Sequence, residues 1–513
     1  MEGIYWVRTA KSDTASNKKM YVSARVYRGK LILSCSDTNA KGEGISPAYL
    51  IGSIRSLYPK LEIEGGAGVR PHKNSINNYY YPENPEAGID LFLEKLVQET
   101  EKEHEDILEQ ADETDAMFGE LYSWYLRNPE YRSRVQKLVQ SAFAGKPEDI
   151  ISQSVAKALY GEVSPYSATR LERFAACAFA HFLQYGMKLT ERVEYEFKPM
   201  DMGNVMHEAL ESFAEEVRKR GMKWTELTEQ ERNEIADRCL DNIVADYGNT
   251  VLKSSARNEY MIERTRRILR RTVWALQKQL EQGEFQPEGF EVTFGGGRID
   301  RVDIMEDQNK VYVKVIDYKT GNTSFDLVYL YHGLQLQLMI YLDGALRVEQ
   351  KKYPDKEIIP AGVFYYNIKD PMIQEKIDAD VEAVSAGLMK ELKMNGLVQA
   401  DPELVYRMDS SLGSIPVAFN KDGSFRKNSS VADRTQFAVL GRYVRTKIEK
   451  IRSSILEGDA EVSPYELGKK NACTYCPYMT VCGFDRRLSG YEFRRLKNFS
   501  DEELWKAFDR EAE

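Results

Sequence analysis

The chain is poor in the residues that carry most metal and redox chemistry, with 6 cysteines and 5 histidines among 513 residues. It also lacks any apolar run near the roughly 18 to 20 residues that a bilayer span requires. Its opening, MEGIYWVRTAKSD, does not follow the basic, apolar, small-residue order of a secretory signal. These absences exclude an integral membrane protein of the helical type and point to the cytoplasm. The cysteines are too few and too unevenly placed for a disulfide framework. A basic excess is missing as well: 71 Lys and Arg against 80 Asp and Glu give a net charge of -9. Binding of nucleic acid through overall charge is thereby excluded, although a local basic channel is not. No G-x-x-x-x-G-K-S/T loop cradles a nucleotide phosphate, and neither internal repeats nor low-complexity tracts occur.

What is present is a large globular inventory, 42% apolar and 29% charged, long enough for two to four domains. The first sixty residues alternate short apolar segments such as Lys30 to Ser34 with polar turns, then take a helical rhythm from Ala48 to Leu57. A Gly- and Asn-rich stretch from Gly65 to Asn78 reads as a linker. The pattern is helical from about Ile89 to Phe143, with an acidic first half that suits a solvated face. Boundaries are expected at 1–64, 65–160, 161–490 and 491–513. In the third segment Ser167 can cap a helix carrying Leu171, Phe174 and Phe179. Helices are expected near 203–219, 226–246, 258–282, 325–346, 373–393 and 430–456. Strands are expected over Gly297 to Ile304, Lys310 to Tyr318 and 359–366. A sheet with long helices on its faces, an α/β fold, is the packing solution for that order.

The most informative stretch runs from Gly295 to Gly321. A polar Glu306 to Asn309 turn can fold its two strands into a hairpin, and residues two apart share a strand face. Asp317 and Lys319 then point the same way, with Asp300 on the neighbouring strand. Two carboxylates and an ammonium suit the cutting of a phosphodiester: the acids hold one or two Mg²⁺ ions, and Lys319 attends the attacking water. The carbonyl of Tyr318 is a further oxygen ligand. His207, on an upstream helix, is a candidate ligand, with Mn²⁺ as an alternative ion, or else a structural histidine. Gln337 and Tyr341, four residues apart on one helical face, are candidates for contacting phosphate or metal-bound water, with Gln335 beside them. The plainer alternatives are a solvated ion pair and an ordinary amphipathic helix.

Cys473, Cys476 and Cys482 place three thiols in one short loop, which suits zinc or an iron-sulfur cluster. The fourth ligand comes from Cys177 or Cys239. With Cys177, the site clamps the last loop onto the first helix of the main domain.

Six blocks in fixed order, SATRLERFAACAFAHFLQYGMKL, GNVMHEAL, GRIDRVD, VIDYKTG, LQLQLMIYL and CTYCPYMTVC, resemble the B subunits of bacterial ATP-dependent helicase/exonucleases of the AddAB type. The resemblance implies a RecB-like PD-(D/E)XK nuclease domain over roughly 165–490, with His207, Asp300, Asp317 and Lys319 at the catalytic positions. Gln337 and Tyr341 match the following helix motif, and Asp303 is a less secure metal ligand. It also implies a [4Fe-4S] cluster on Cys177, Cys473, Cys476 and Cys482, with Ala178 standing where the family commonly has proline. Residues 1–64 look like the end of a degenerate helicase-like domain, and the chain like a C-terminal piece or a split-gene product. The expected partners are DNA, as an unwound single strand, and the A subunit of a helicase-nuclease. The expected activity is Mg²⁺-dependent exonucleolytic cutting of the 5′-ended strand during repair of double-strand breaks, with a silent DNA-binding scaffold or a stand-alone exonuclease as alternatives.

Overall fold

The computed structural model describes residues 5–6, 23–27, 30–34, 54, 56–58 and 85–512, apart from 102–112, 143–149, 162–166, 191–198, 247–254, 296, 374–380 and 489. The chain divides into two compact units, Met1–Lys95 with Leu108–Val135, and Leu96–Ile107 with Gln136–Glu513.

In the first unit, β1 (Tyr5–Trp6), β2 (Ser23–Tyr27) and β3 (Lys30–Ser34) form an antiparallel sheet in that order. The expected linker at Gly65 to Asn78 and most of the Ala48 to Leu57 segment lie outside the described residues. Helices α1 (Pro85–Glu101) and α2 (Glu113–Arg127) meet through aromatic rings. Phe92 stacks on Phe118 with centroids 4.7 Å apart, and the Tyr125 hydroxyl donates to the Pro85 carbonyl at 2.6 Å. Helix α3 (Pro129–Ala142) follows directly.

The second unit is built on a sheet of order β4-β5-β6-β7-β8-β9. Its strands are Gln286–Phe294, Gly297–Asp307, Lys310–Lys319, Glu357–Asn367, Asn395–Gln399 and Val431–Ala432. The expected hairpin closes through Gln308 and Asn309, with Asp307 opposite Lys310. Its second strand, β6, is buried on both faces from Val311 to Tyr318, and it pairs in parallel with β7. A parallel strand between two helical layers needs apolar side chains on both sides, which the run VYVKVIDY supplies.

One face carries α7 (Pro199–Lys219), α8 (Glu229–Asp246) and α9 (Ala256–Glu281), packed over Met305, Tyr312, Ile316, Phe364 and Tyr366. The other carries α11 (Gln337–Lys352) and α13 (Arg434–Glu457), packed over Val302, Val313, Val315 and Val363. The α/β sandwich expected from the element order is therefore present. Before the sheet, α4 (Gln153–Tyr160) precedes α5 (Ala168–Ala176), which the Ser167 hydroxyl caps by accepting the Arg170 amide, and the short α6 (Ala178–His181).

Three expectations change. The helix expected over 325–346 is broken into α10 (Leu327–Tyr331) and α11, because the chain turns at Gly333 with φ 78°. A glycine takes that left-handed conformation without steric cost. The segment expected as a helix over 373–393 contains α12 (Val381–Glu391), with 374–380 outside the described residues. Edge strand β4 was not expected at all: its Pro287 and Gly289 read as loop residues, yet an edge tolerates proline, and a register shift between the two absorbs the irregularity. Among the described residues no helix is long and apolar enough to cross a membrane.

Candidate active site

Strand alternation decides which acids of the hairpin can work together. Val302 pairs with Val315 and Arg301 with Ile316, so Asp300 and Asp317 sit one residue further along on the same face as Val302 and Val315. Both are buried, at 8% and 1% exposure. The Asp300 carboxylate accepts the Tyr318 amide at 2.7 Å, which ties it across to β6.

Lys319 ends β6 on that same face. Its Nζ lies 2.7 Å from Asp317 Oδ2 and donates to Gln337 Oε1 at 2.8 Å. Gln337 in turn donates through Nε2 to the Tyr341 hydroxyl at 2.9 Å, so the first turn of α11 orients its amide oxygen towards the lysine. The expected pairing of Gln337 and Tyr341 on one helical face is thus present. Gln335 is not with them: it donates to the Ser324 carbonyl at 2.9 Å and accepts the Asp326 amide at 3.0 Å, bracing the loop before α10.

His207, from α7, has Nδ1 at 3.4 Å from Asp300 Oδ2 and 3.8 Å from Glu291 Oε1. Donor atoms of His207, Glu291 and Asp300 all lie within 4.8 Å of one another. An imidazole and two carboxylates form a donor set for Mg²⁺ or Mn²⁺, and Asp317 lies beside this trio rather than within it. Glu291 is a residue the sequence did not reveal. It sits on β4 at φ 49° and also pairs with Arg298.

The electrostatics of the cleft favour a cation. Burial, and next the charge of Asp300, push the Asp317 carboxyl up to about 7 against the pull of Lys319. Burial opposes protonation of His207, but hydrogen bonds to Asp300 and Glu291 outweigh it and hold the imidazolium to about 10. Crowded carboxylates that retain protons are relieved by a bound divalent ion.

Asp303 belongs elsewhere. It lies on the opposite face at 0% exposure, 2.5 Å from Arg301 Nε and 3.0 Å from Lys314 Nζ. Burial would raise its pKa, yet those two cations hold it below the ordinary carboxylate range. The structure therefore removes Asp303 from the candidate ligands and makes it the centre of a buried ion triad.

A second donor set lies apart from the cleft. Cys177, Cys473, Cys476 and Cys482 line one pocket with Phe179, Tyr478 and Phe484. Cys239 instead lies on α8, in the core that α7, α8 and α9 share, so the internal thiol in the pocket of the terminal three is Cys177. Burial, then the neighbouring thiols Cys177, Cys476 and Cys482, push the Cys473 thiol up to about 12. Burial pushes the Cys177 thiol up as well, and the Phe484 amide donates to Cys482 Sγ at 3.5 Å. These four thiols, lining one pocket, are the residues that would hold a thiolate-bound metal.

Residues 165–483 match the PD-(D/E)XK nuclease superfamily. The chain is 38% identical to the B subunit of an ATP-dependent helicase/deoxyribonuclease of Lachnoclostridium phytofermentans, over 96% of its own length and 43% of that protein. It is 33% identical to the corresponding B subunit of Alkaliphilus metalliredigens, over 94% of the chain and 43% of the relative. To that of a Thermoanaerobacter species it is 30% identical, over 98% and 45%. The chain thus spans less than half the length of these relatives.

Proposed function

Because the chain belongs to the PD-(D/E)XK nuclease superfamily, we propose that its cleft hydrolyses DNA phosphodiesters as the nuclease module of a helicase-nuclease that processes double-strand breaks. The observation that carries this reading is the placement of Lys319 between Asp317 and Gln337, on the sheet face where Asp300 meets His207 and Glu291. A Mg²⁺ or Mn²⁺ ion held by Asp300, Asp317 and His207, with Glu291 and the Tyr318 carbonyl as further donors, would lower the pKa of water and offset charge on the phosphate.

Lys319 has three N–H groups. Asp317 and Gln337 engage two, and the third serves the attacking water or a non-bridging phosphate oxygen. Tyr341 holds Gln337 in the orientation that accepts from the lysine. Water forms the new P–O bond as the P–O3′ bond breaks, and the leaving 3′-oxygen takes a proton. No side chain forms a covalent intermediate. The substrate is a single strand ending 5′, delivered by the unwinding A subunit of the complex, and contacts to phosphate rather than to bases let every sequence be degraded.

The four-thiol pocket holds a [4Fe-4S] cluster in this reading. The cluster would staple the C-terminal loop to α5.

The deciding experiment is digestion of 5′- and 3′-labelled single-stranded DNA by the purified chain with Mg²⁺, Mn²⁺ or EDTA. Metal-dependent release of nucleotides from the 5′ end supports the proposal. Metal-dependent DNA binding without cleavage, both alone and with the unwinding partner added, identifies a scaffold instead.

A further inference from the structure

Helix α11 carries the groups that hold the candidate catalytic lysine, but it does not cap itself. The first amides of a helix need external acceptors, and Leu336, at the N-cap, offers no side-chain oxygen. The acceptor comes from α5, far upstream in the sequence. Glu172 Oε1 takes the Leu336 amide at 2.7 Å and the Gln337 amide at 2.9 Å.

The capped residue is the one that meets the lysine. Glu172 fixes the Gln337 backbone, the Gln337 side chain accepts from Lys319 Nζ at 2.8 Å, and Lys319 pairs with Asp317 at 2.7 Å. The turn before α11 also rides closely on α5: a Cβ added at Gly333 would lie 3.2 Å from the Cβ of Ala175. The last turn of α5 is itself held, since Arg494 donates to the Ala175 carbonyl and Cys177 ends the helix.

We infer that Glu172 is a positioning residue for Lys319, acting as a cap supplied by a second helix that sets where α11 begins and thus where the Gln337 oxygen stands. Its role is geometric: both accepted bonds use one oxygen, so a neutral amide oxygen in the same place performs it equally. The inference rests on the nuclease reading only for its kinetic readout.

The test compares E172A, E172Q and the unaltered chain by single-stranded DNA cleavage and by hydrogen exchange of a peptide spanning 334–342. With E172A, kcat should fall about 10- to 100-fold at an unchanged KM, and the Leu336 and Gln337 amides should exchange faster. E172Q should restore both properties. Should E172A fail to fold, E172D, with its carboxylate drawn back by one methylene, should give intermediate exchange and rate. Unchanged exchange in E172A, or equal damage from E172Q and E172A, overturns the inference. An unaltered chain that cuts no DNA sinks the nuclease reading, while the exchange comparison still judges Glu172.

Discussion

Lys319 and Gln337 are joined Nζ to Oε1 at 2.8 Å, so the end of a buried strand and the start of a helix share one hydrogen bond. An exposed lysine beside an aspartate would be worth little. Here the ammonium is only 28% exposed, and it is directed by a neutral amide that Tyr341 orients in turn. The amide adds direction without neutralising the charge that a phosphate would meet.

Lys319→Ala should therefore lower the rate of DNA cleavage by at least about 100-fold, with the far-ultraviolet circular dichroism spectrum retained. Gln337→Ala leaves the ammonium but frees its direction, and about a 10-fold loss is expected. Lys319→Arg should not rescue, because a planar guanidinium cannot reproduce the point charge between Asp317 and Gln337. Cleavage assays on the three purified variants decide the matter, and wild-type rates from Lys319→Ala would exclude the assigned role.

Metal uptake should expel a proton from His207. The imidazolium is held to about 10 by Asp300 and Glu291 against burial, and only neutral imidazole ligates a metal. At pH 8.5 the Asp317 carboxyl, at about 7, is already largely ionised. Titration calorimetry with Mn²⁺ in buffers of different ionisation enthalpy should then report close to one proton released, and affinity should rise with pH. His207→Ala should bind more weakly without proton release. Buffer-independent heats in the unaltered protein would remove His207 from the ligand set.

The metal-free protein should gain stability from Asp317→Asn. The ordinary value of this carboxyl is 3.8 and its folded value about 7, so the folded state holds the proton more tightly. The resulting penalty on folding is absent below pH 3.8, grows as pH rises, and is complete above about 7. Thermal unfolding in EDTA should show a Tm gain of about 2–4 °C or more for the asparagine variant at pH 8, vanishing near pH 4. Added Mg²⁺ should raise Tm in the unaltered protein and not in the variant.

The legible part of this protein is its hairpin. Alternating valines from Val311 to Val315 and a two-residue turn announce strands β5 and β6, and with them the face shared by Asp300, Asp317 and Lys319. The same period-two alternation puts residues three apart on opposite faces, which is why Asp303 leaves the site although it shares a motif with Asp300. Glu291 stayed hidden because Pro287 and Gly289 disguise an edge strand as a loop, and its φ of 49° places it where no alternation applies. Glu172 has no local signature whatever: a cap supplied from another helix is a property of the packed tertiary structure. The break at Gly333 was missed because the apolar rhythm continues through it.

Loss of Cys473 should cost the protein its bound metal and lower its melting temperature, while Cys239→Ala should leave the metal content unchanged. The contrast follows from placement, since Cys473 shares a pocket with Cys177, Cys476 and Cys482, and Cys239 is packed in a separate core. Iron and sulfide analysis with a visible spectrum checks both variants. Stoichiometric zinc without iron in the unaltered protein would reject the cluster and keep the four-thiol site.

The two aspartates of GRIDRVD should fail in different ways. Asp303 neutralises two buried cations, Arg301 at 1% exposure and Lys314 at 5%. Asp303→Ala leaves both uncompensated and should cost about 3–5 kcal/mol of stability. Asp300 faces the cleft, where removing a carboxylate relieves repulsion on Asp317. Asp300→Asn, whose amide oxygen can still accept the Tyr318 N–H, should accordingly fold with near-normal stability in EDTA but cut no DNA. Urea unfolding paired with cleavage assays separates the cases. A stable, inactive Asp303→Ala protein would return that residue to the chemistry, because a buried ion triad that can lose its centre without cost is not holding the fold.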